Sequence, residues 1–125
     1  MRDPSLKNIL IHTLICSTKL DHSYTLINFM AEDSLLEAFC EMQPTVNNNH
    51  LSKEKSLLII KKINDNQMLG ELVIASRNYN IINEALLKIN KYSVFKKILE
   101  HRKDLEVHVK SRLSSVPNSS KFILD

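Results

Sequence analysis

The chain has 125 residues, of which 43% are hydrophobic and 25% charged, and a formal net charge of +3. That is enough for one domain with a modest core and too little for two. A single glycine and three prolines argue against an all-β fold, because tight β-turns need residues that tolerate positive φ. The single glycine also excludes a glycine-rich phosphate loop.

Charge is uneven along the chain. Residues 1–50 carry three basic and six acidic groups, residues 51–90 six and four, and residues 91–125 eight and four. An acidic front and a basic back could steer an acidic partner to the C-terminal half, although an ordinary solvated surface explains the same counts. Cys16 and Cys40 are too few for a disulfide framework. Both fall in apolar helical patterns, so two buried thiols and a reducing compartment are expected. No apolar run approaches the ~18 residues of a membrane span. Met1-Arg2-Asp3-Pro4 does not open a secretory signal layout.

Asp3-Pro4 is a good helix start, with aspartate as cap and proline at the first helical position. The first helix is expected from Pro4 to about Lys19, with Leu6, Ile9, Leu10, Leu14 and Ile15 facing inward. Asp21 or Ser23 can cap a short second helix through Tyr24 to Met30. Ser34-Leu35-Leu36-Glu37 has the form of a capping box, opening a helix whose apolar face is Leu35, Leu36, Phe39 and Cys40 and which Pro44 ends. Pro44 to His50, with Asn47, Asn48 and Asn49, reads as a loop. Asparagine competes with helix through its own backbone bonds, so this segment is a candidate hinge or contact loop.

Leu57 to Leu99 reads as three amphipathic helices with an internal echo. Lys62-Ile63-Asn64 returns as Lys88-Ile89-Asn90, 26 residues later. Each is followed by a polar spacer and two apolar pairs, Met68-Leu69 with Leu72-Val73, then Val94-Phe95 with Ile98-Leu99. Such pairs lie on one helical face, and a repeat of this length suits one helix-turn-helix unit of a stacked array. Ser52 and Asp65 are the expected caps. Gly70, inside a helix at a cost of roughly 1 kcal/mol, suggests a close helix–helix approach. Asn78-Tyr79-Asn80 reads as a tight turn before a face of Ile82, Ala85, Leu86 and Ile89. Leu105, Val107 and Val109 alternate as in a strand. A strand without a partner is disfavoured here, so a last helix from Asp104 to about Leu113 is expected. Residues 114–125 form a serine-rich tail.

The chemistry-bearing residues make no catalytic signature. His12 and Cys16, at i and i+4, can place two ligands on one helix face, but no matching second pair stands nearby and no metal site is expected. No oxyanion turn precedes either cysteine, so cysteine catalysis is not expected. Glu32, Asp33, Glu37 and Glu41 are better explained as helix-start charges than as acid–base groups. Lys91, Lys96, Lys97, Arg102, Lys103, Lys110 and Arg112 could meet phosphates, but no DNA-reading helix pair appears and exposed stacking aromatics are scarce.

Leu72 to Leu87, LVIASRNYNIINEALL, resembles the inner-helix, turn and outer-helix segment of an ankyrin repeat. The Thr-Pro-Leu-His opening of that family is absent, and Tyr79 stands where glycine is usual. The isoleucine-, asparagine- and lysine-rich composition, with Lys62-Ile63-Asn64-Asp65 and the tail Ser119-Ser120-Lys121-Phe122-Ile123-Leu124-Asp125, is similar to small helical effectors of Legionella-type type IV secretion. That resemblance implies a non-enzymatic protein that binds and inhibits another effector enzyme, delivered into a host cell without a cleavable signal.

Together these readings predict an all-α domain over residues 1–113, with a hinge or loop at 44–51 and a flexible tail at 114–125. About seven or eight short helices are expected, packed as antiparallel pairs in a solenoid-like or irregular bundle. The expected function is regulation or inhibition of a partner protein in the cytoplasm, without cofactor or metal, and with a homodimer as a further partner state. Asn47, Asn48, Asn49, His50, Lys96, Lys97, Arg102 and Lys103 are the candidate partner-binding residues. Nucleic-acid binding by the basic C-terminal half is the alternative.

Overall fold

The structure, a computed structural model, describes residues 4–114. Over these residues the fold is all-α, with eight α-helices, two short 3-10 turns and no β-sheet. The chain divides between Ile63 and Asn64 into two compact units. The 44–51 segment lies inside the first unit, and the expected Asp3 cap and most of the expected 114–125 tail lie outside the described residues.

The first unit contains α1 (Pro4–Cys16), α2 (Leu20–Phe29), α3 (Glu32–Met42), a 3-10 turn (Gln43–Thr45) and α4 (His50–Lys62). Helix α1 packs against α2 and α3, and α4 packs against α2 and α3. Leu14, Ile27, Leu35, Phe39, Ile59, Ile60 and Ile63 are fully enclosed. The second unit contains α5 (Asn66–Ala75), α6 (Tyr79–Lys88), α7 (Tyr92–His101), a 3-10 turn (Lys103–Leu105) and α8 (Glu106–Ser114). Helix α5 packs against α6 and α7, and α8 against α6 and α7. Its core holds Leu69, Leu72, Val73, Ile81, Ile82, Leu86, Val94, Phe95 and Ile98.

The 26-residue echo resolves into two shorter steps. Helices α5, α6 and α7 are each 10 residues long and start at residues 66, 79 and 92, a step of 13. Each follows an extended N-cap residue, Asp65, Asn78 or Lys91. Asp65 accepts from the Met68 N–H at 3.0 Å and Asn78 from that of Ile81 at 3.1 Å. Burial recurs in the same frame: Ile81, Ile82, Ala85, Leu86 and Ile89 in one step, Val94, Phe95 and Ile98 in the next. Asn78-Tyr79-Asn80 is therefore a cap and the first turn of a helix, not a separate turn.

Elsewhere the caps differ from the expected ones. Helix α4 starts at His50 because Asn49, not Ser52, caps it, accepting from the Ser52 N–H at 3.2 Å. Ser34 lies within α3 and is buried; the carboxylate of Asp33 accepts its N–H at 2.9 Å instead. The buried face of α3 is Leu35, Ala38, Phe39 and Met42, so Cys40 is exposed. Residues 106–114 are helical. Leu105 and Val109, four residues apart, share the buried face, and Val107 between them is exposed.

No described residue has positive φ. Helices commonly end on a left-handed glycine that ties back their last carbonyls. Here Met30, Ile63, Ser76 and Ile89 end their helices in extended conformation, so eight helices form in a chain with one glycine. The terminal carbonyls still need donors, and cationic side chains supply them. The Lys55 ammonium donates to the carbonyls of Leu14, Ile15 and Ser17 at 2.8, 3.0 and 2.6 Å. Arg102 donates to those of Ile74 and Ser76 at 2.9 and 2.8 Å, and at 3.4 Å to that of Val73. Arg112 reaches the Leu86 and Leu87 carbonyls at 3.1 and 3.2 Å. Burial pushes the Lys55 amine below its usual value, and the nearby Cys16 opposes that shift.

Gly70 does mark a close approach, since a β-carbon there would stand 2.7 Å from Val94 Cγ1. Val94 is buried and stiff at χ1. Alanine would gain about 1 kcal/mol of helix propensity, but the forced shift costs about 1–3 kcal/mol. Gly70→Ala is expected to lower the urea midpoint in the native background and to become neutral or stabilising when Val94 is also alanine. Lys55→Met leaves three carbonyls without their donor and is expected to cost about 3 kcal/mol in the same measurement. Lys62→Met, at an exposed position, should stay within about 0.5 kcal/mol.

Candidate interaction surface

Helix α1 is apolar on two sides. Ile11 and Leu14 point into the first unit, whereas Leu6 is 52% and Ile9 60% exposed. The expectation that Leu6 and Ile9 face the core is therefore corrected. Apolar residues at 6, 9, 10, 11, 14 and 15 span more than one stripe, and only one stripe meets α2 and α3. At the end of α2, Phe29 is 81% exposed, the most exposed large hydrophobic side chain among the described residues. Leu6, Leu10 and Phe29 line one shallow hollow of about 190 Å³ with Met30, Ala31 and Ser34.

Lys7 lies on the rim of that hollow. Its ammonium meets Glu37 at 2.7 Å and Asp33 at 3.5 Å across to α3. The Glu37 hydrogen bond raises the Lys7 pKa, with Asp33 adding to it. Two of the acidic residues within α3 thus have local work: Asp33 at the helix start and Glu37 on Lys7. An apolar centre bordered by fixed charges has the layout of a recognition patch.

The residues singled out from sequence fall into two groups, one in each unit. Asn47, Asn48, Asn49 and His50 are exposed. They are also ordered by local bonds: Asn48 N–H to the Thr45 carbonyl at 3.0 Å, the Asn49 cap, and His50 Nε2 3.6 Å from Glu54. In the second unit Lys96 is exposed and sits 5.7 Å from the centre of the Tyr92 ring, Lys97 is half-buried and Lys103 is exposed. Arg102 has a different part. Besides its carbonyl contacts it makes a two-pronged pair with Asp104, at 2.9 and 2.8 Å. Lys110 is bonded to Glu106 at 2.6 Å.

Other chemistry-bearing groups are dispersed. Cys16 and Cys40 are both exposed and in no disulfide, which overturns the expectation of buried thiols. Cys16 stands beside His12 at the end of α1. Tyr79 stacks on His108 with ring centres 4.7 Å apart. Beside them a hollow of about 290 Å³ is lined by Asn83, Leu86, Leu87, His108, Ser111 and Arg112. Among the described residues no three His, Cys, Asp or Glu side chains gather as metal ligands, and no helix is long and apolar enough to cross a membrane. No protein-family model matches the chain, and no characterised protein or solved structure is significantly similar to it.

Arg102→Met is expected to destabilise the protein by about 2 kcal/mol through the carbonyls it leaves bare, while Lys96→Met changes stability by less than about 0.5 kcal/mol. Arg102 also holds the Asp104 carboxyl below its ordinary 3.8. A depressed carboxyl stabilises the fold above its unfolded value, and that contribution is lost as pH falls through the folded value. Urea unfolding followed below pH 3.8 should show wild type losing its advantage over Asp104→Asn.

Proposed function

We propose that this chain is a non-enzymatic protein-interaction module that regulates or inhibits a partner by covering part of its surface. One observation carries the reading: Leu6, Leu10 and Phe29 converge on an accessible hollow, with Phe29 almost wholly in solvent. Leaving Phe29 and Leu6 open to water, with Leu10 half-buried beside them, forgoes up to about 1.5–3 kcal/mol for each exposed side chain. Burial against a partner recovers it, and an aromatic anchor in a shallow cleft is a common centre of binding energy. The similarity to small secreted helical effectors favours another effector enzyme as the partner, with action in the cytoplasm of the cell that receives it.

Nucleic-acid binding through the basic half is the second reading. It is favoured by Lys96 and Lys103, which are exposed. It is weakened because Arg102, Lys110 and Arg112 are already bonded within the second unit. With those cations engaged, fewer remain for phosphates, so the protein-binding reading is the better supported.

The test is affinity capture with wild type and with a Leu6→Asp/Phe29→Asp variant, using matched folded protein. One stoichiometric partner is expected from wild type and its loss from the variant. The isolated partner, if an enzyme, should be inhibited by wild type only. Recovery of the same proteins by both forms would reject the patch as the binding surface. Affinity for RNA or DNA that falls steeply with salt and is abolished by charge reversal at Lys96 and Lys97 would move the function to the second reading.

A further inference from the structure

The two units are built on one plan. Helices α2 and α6 are both 10 residues long and start 59 residues apart, at Leu20 and Tyr79. At the same spacing Ser23, Ile27 and Met30 are buried as Ile82, Leu86 and Ile89 are, and Leu35 and Phe39 of α3 as Val94 and Ile98 of α7. Each unit then passes through a 3-10 turn into a fourth helix that packs on its second and third. There the correspondence shifts: Ile59 of α4 and Val109 of α8, both buried, stand 50 residues apart. The first unit has the longer connection and the longer fourth helix.

A shallow hollow opens at the same place in each unit, between the second and fourth helices. In the first it is lined by Tyr24, Ile27 and Asn28 of α2 and by Leu58, Lys61 and Lys62 of α4, and holds about 170 Å³. In the second it is lined by Asn83, Leu86 and Leu87 of α6 and by His108, Ser111 and Arg112 of α8, and holds about 290 Å³. The positions correspond one to one, each helix supplying i, i+3 and i+4 of one face. The side chains differ, but their character is shared. Ile27 and Leu86 form a buried apolar floor. A large hydrophobic side chain is left uncovered at the edge, Tyr24 at 56% and Leu87 at 59% exposure. A cation stands in the last turn of the fourth helix, Lys62 or Arg112. Arg112 is fixed there by the Leu86 and Leu87 carbonyls. Among the described residues neither lining includes a carboxylate.

Cations in a last helical turn complement the helix dipole. That accounts for Lys62 and Arg112, but not for the uncovered Tyr24 and Leu87 beside them. An exposed hydrophobic group next to a fixed positive charge complements a segment that carries an apolar side chain among acidic ones. We propose that the hollow between the second and fourth helices is a docking position for an acidic peptide segment with one large apolar anchor, and that each chain offers it twice. The anchor covers Tyr24 or Leu87, and a neighbouring carboxylate meets Lys62 or Arg112. Nucleic acid fits less well, because a run of phosphates calls for a run of cations, and each hollow sets its few cations around an apolar floor. This docking position is separate from the hollow of Leu6, Leu10 and Phe29 on which the proposed function rests.

The test titrates a short synthetic peptide, one phenylalanine between two runs of aspartate and glutamate, into the full chain at low ionic strength by isothermal titration calorimetry. The expected result is two peptides bound per chain, with affinity that falls as salt is added. The same peptide with asparagine and glutamine in place of its acidic residues should not bind. Lys62→Glu and Leu87→Asp, both at exposed positions, should each leave one peptide per chain, and the double variant none. Circular dichroism should show unchanged helix content in all three. The Leu6→Asp/Phe29→Asp variant should still bind two peptides, so failure of either reading is visible without the other. No binding of the acidic peptide, one peptide per wild-type chain, or binding that survives the double variant would each overturn the proposal. So would a short single-stranded DNA that binds more tightly than the peptide and is lost in the double variant.

Discussion

Among the described residues no helix of this protein stops on a left-handed residue, and the carbonyls left at the helix ends govern much of the structure. A helix that turns straight into an extended linker keeps no backbone N–H groups to cover its last turn. In water that would cost little. Beside a packed core it costs a substantial fraction of a small domain's stability. Lys55, Arg102 and Arg112 meet this need by reaching across from another part of the chain. Each also places a positive charge at the negative end of a helix, where the dipole favours it.

Two of these arrangements share a pattern. In the first unit Lys55 holds the carbonyls of Leu14, Ile15 and Ser17, and in the second Arg102 holds those of Val73, Ile74 and Ser76. The segments read Leu-Ile-Cys-Ser and Val-Ile-Ala-Ser. In both, the first, second and fourth carbonyls converge on one cation. The cations differ in a way that follows from their settings. Lys55 is almost completely buried and has only neutral acceptors around it, which a compact ammonium with three donors can satisfy. Arg102 is partly exposed and uses its remaining donors on Asp104, which suits a planar guanidinium. Each side chain ties together segments that are distant in sequence, a stronger constraint on the fold than a local cap.

The helical class and the 26-residue echo were legible because burial in α5 to α7 follows a fixed frame of apolar pairs. Asp65, Gly70 and the face of Ile82, Ala85, Leu86 and Ile89 were legible for the same reason: each is a local rule acting within one helix. What failed involves choosing between faces. Leu6, Ile9, Leu36 and Cys40 belong to helices with apolar residues on more than one side, and periodicity alone does not say which side meets a neighbour. Arg102 shows the converse. Its type and its place in a basic run suggested a surface contact, yet its partners are carbonyls 26 to 29 residues away, invisible to any local pattern. Lys55 was unremarked for that reason, being one lysine in a helix with several.

The same distinction explains why α1 leaves apolar side chains uncovered. Helices of about ten residues are marginal alone, and each depends on a face buried by its neighbours. For α1 those neighbours are α2 and α3. A helix needs only one apolar stripe for that purpose, so the Leu6 and Ile9 side chains are surplus to folding the first unit. The same outward side carries His12 and Cys16, whose exposure is likewise unnecessary for the core. Side chains that the fold does not require, placed where water would otherwise favour polar ones, are the strongest sign of contact with another molecule that this chain offers. The apolar hollow is the ground of the protein-binding role proposed above. It follows from a first helix with more apolar surface than its own unit covers.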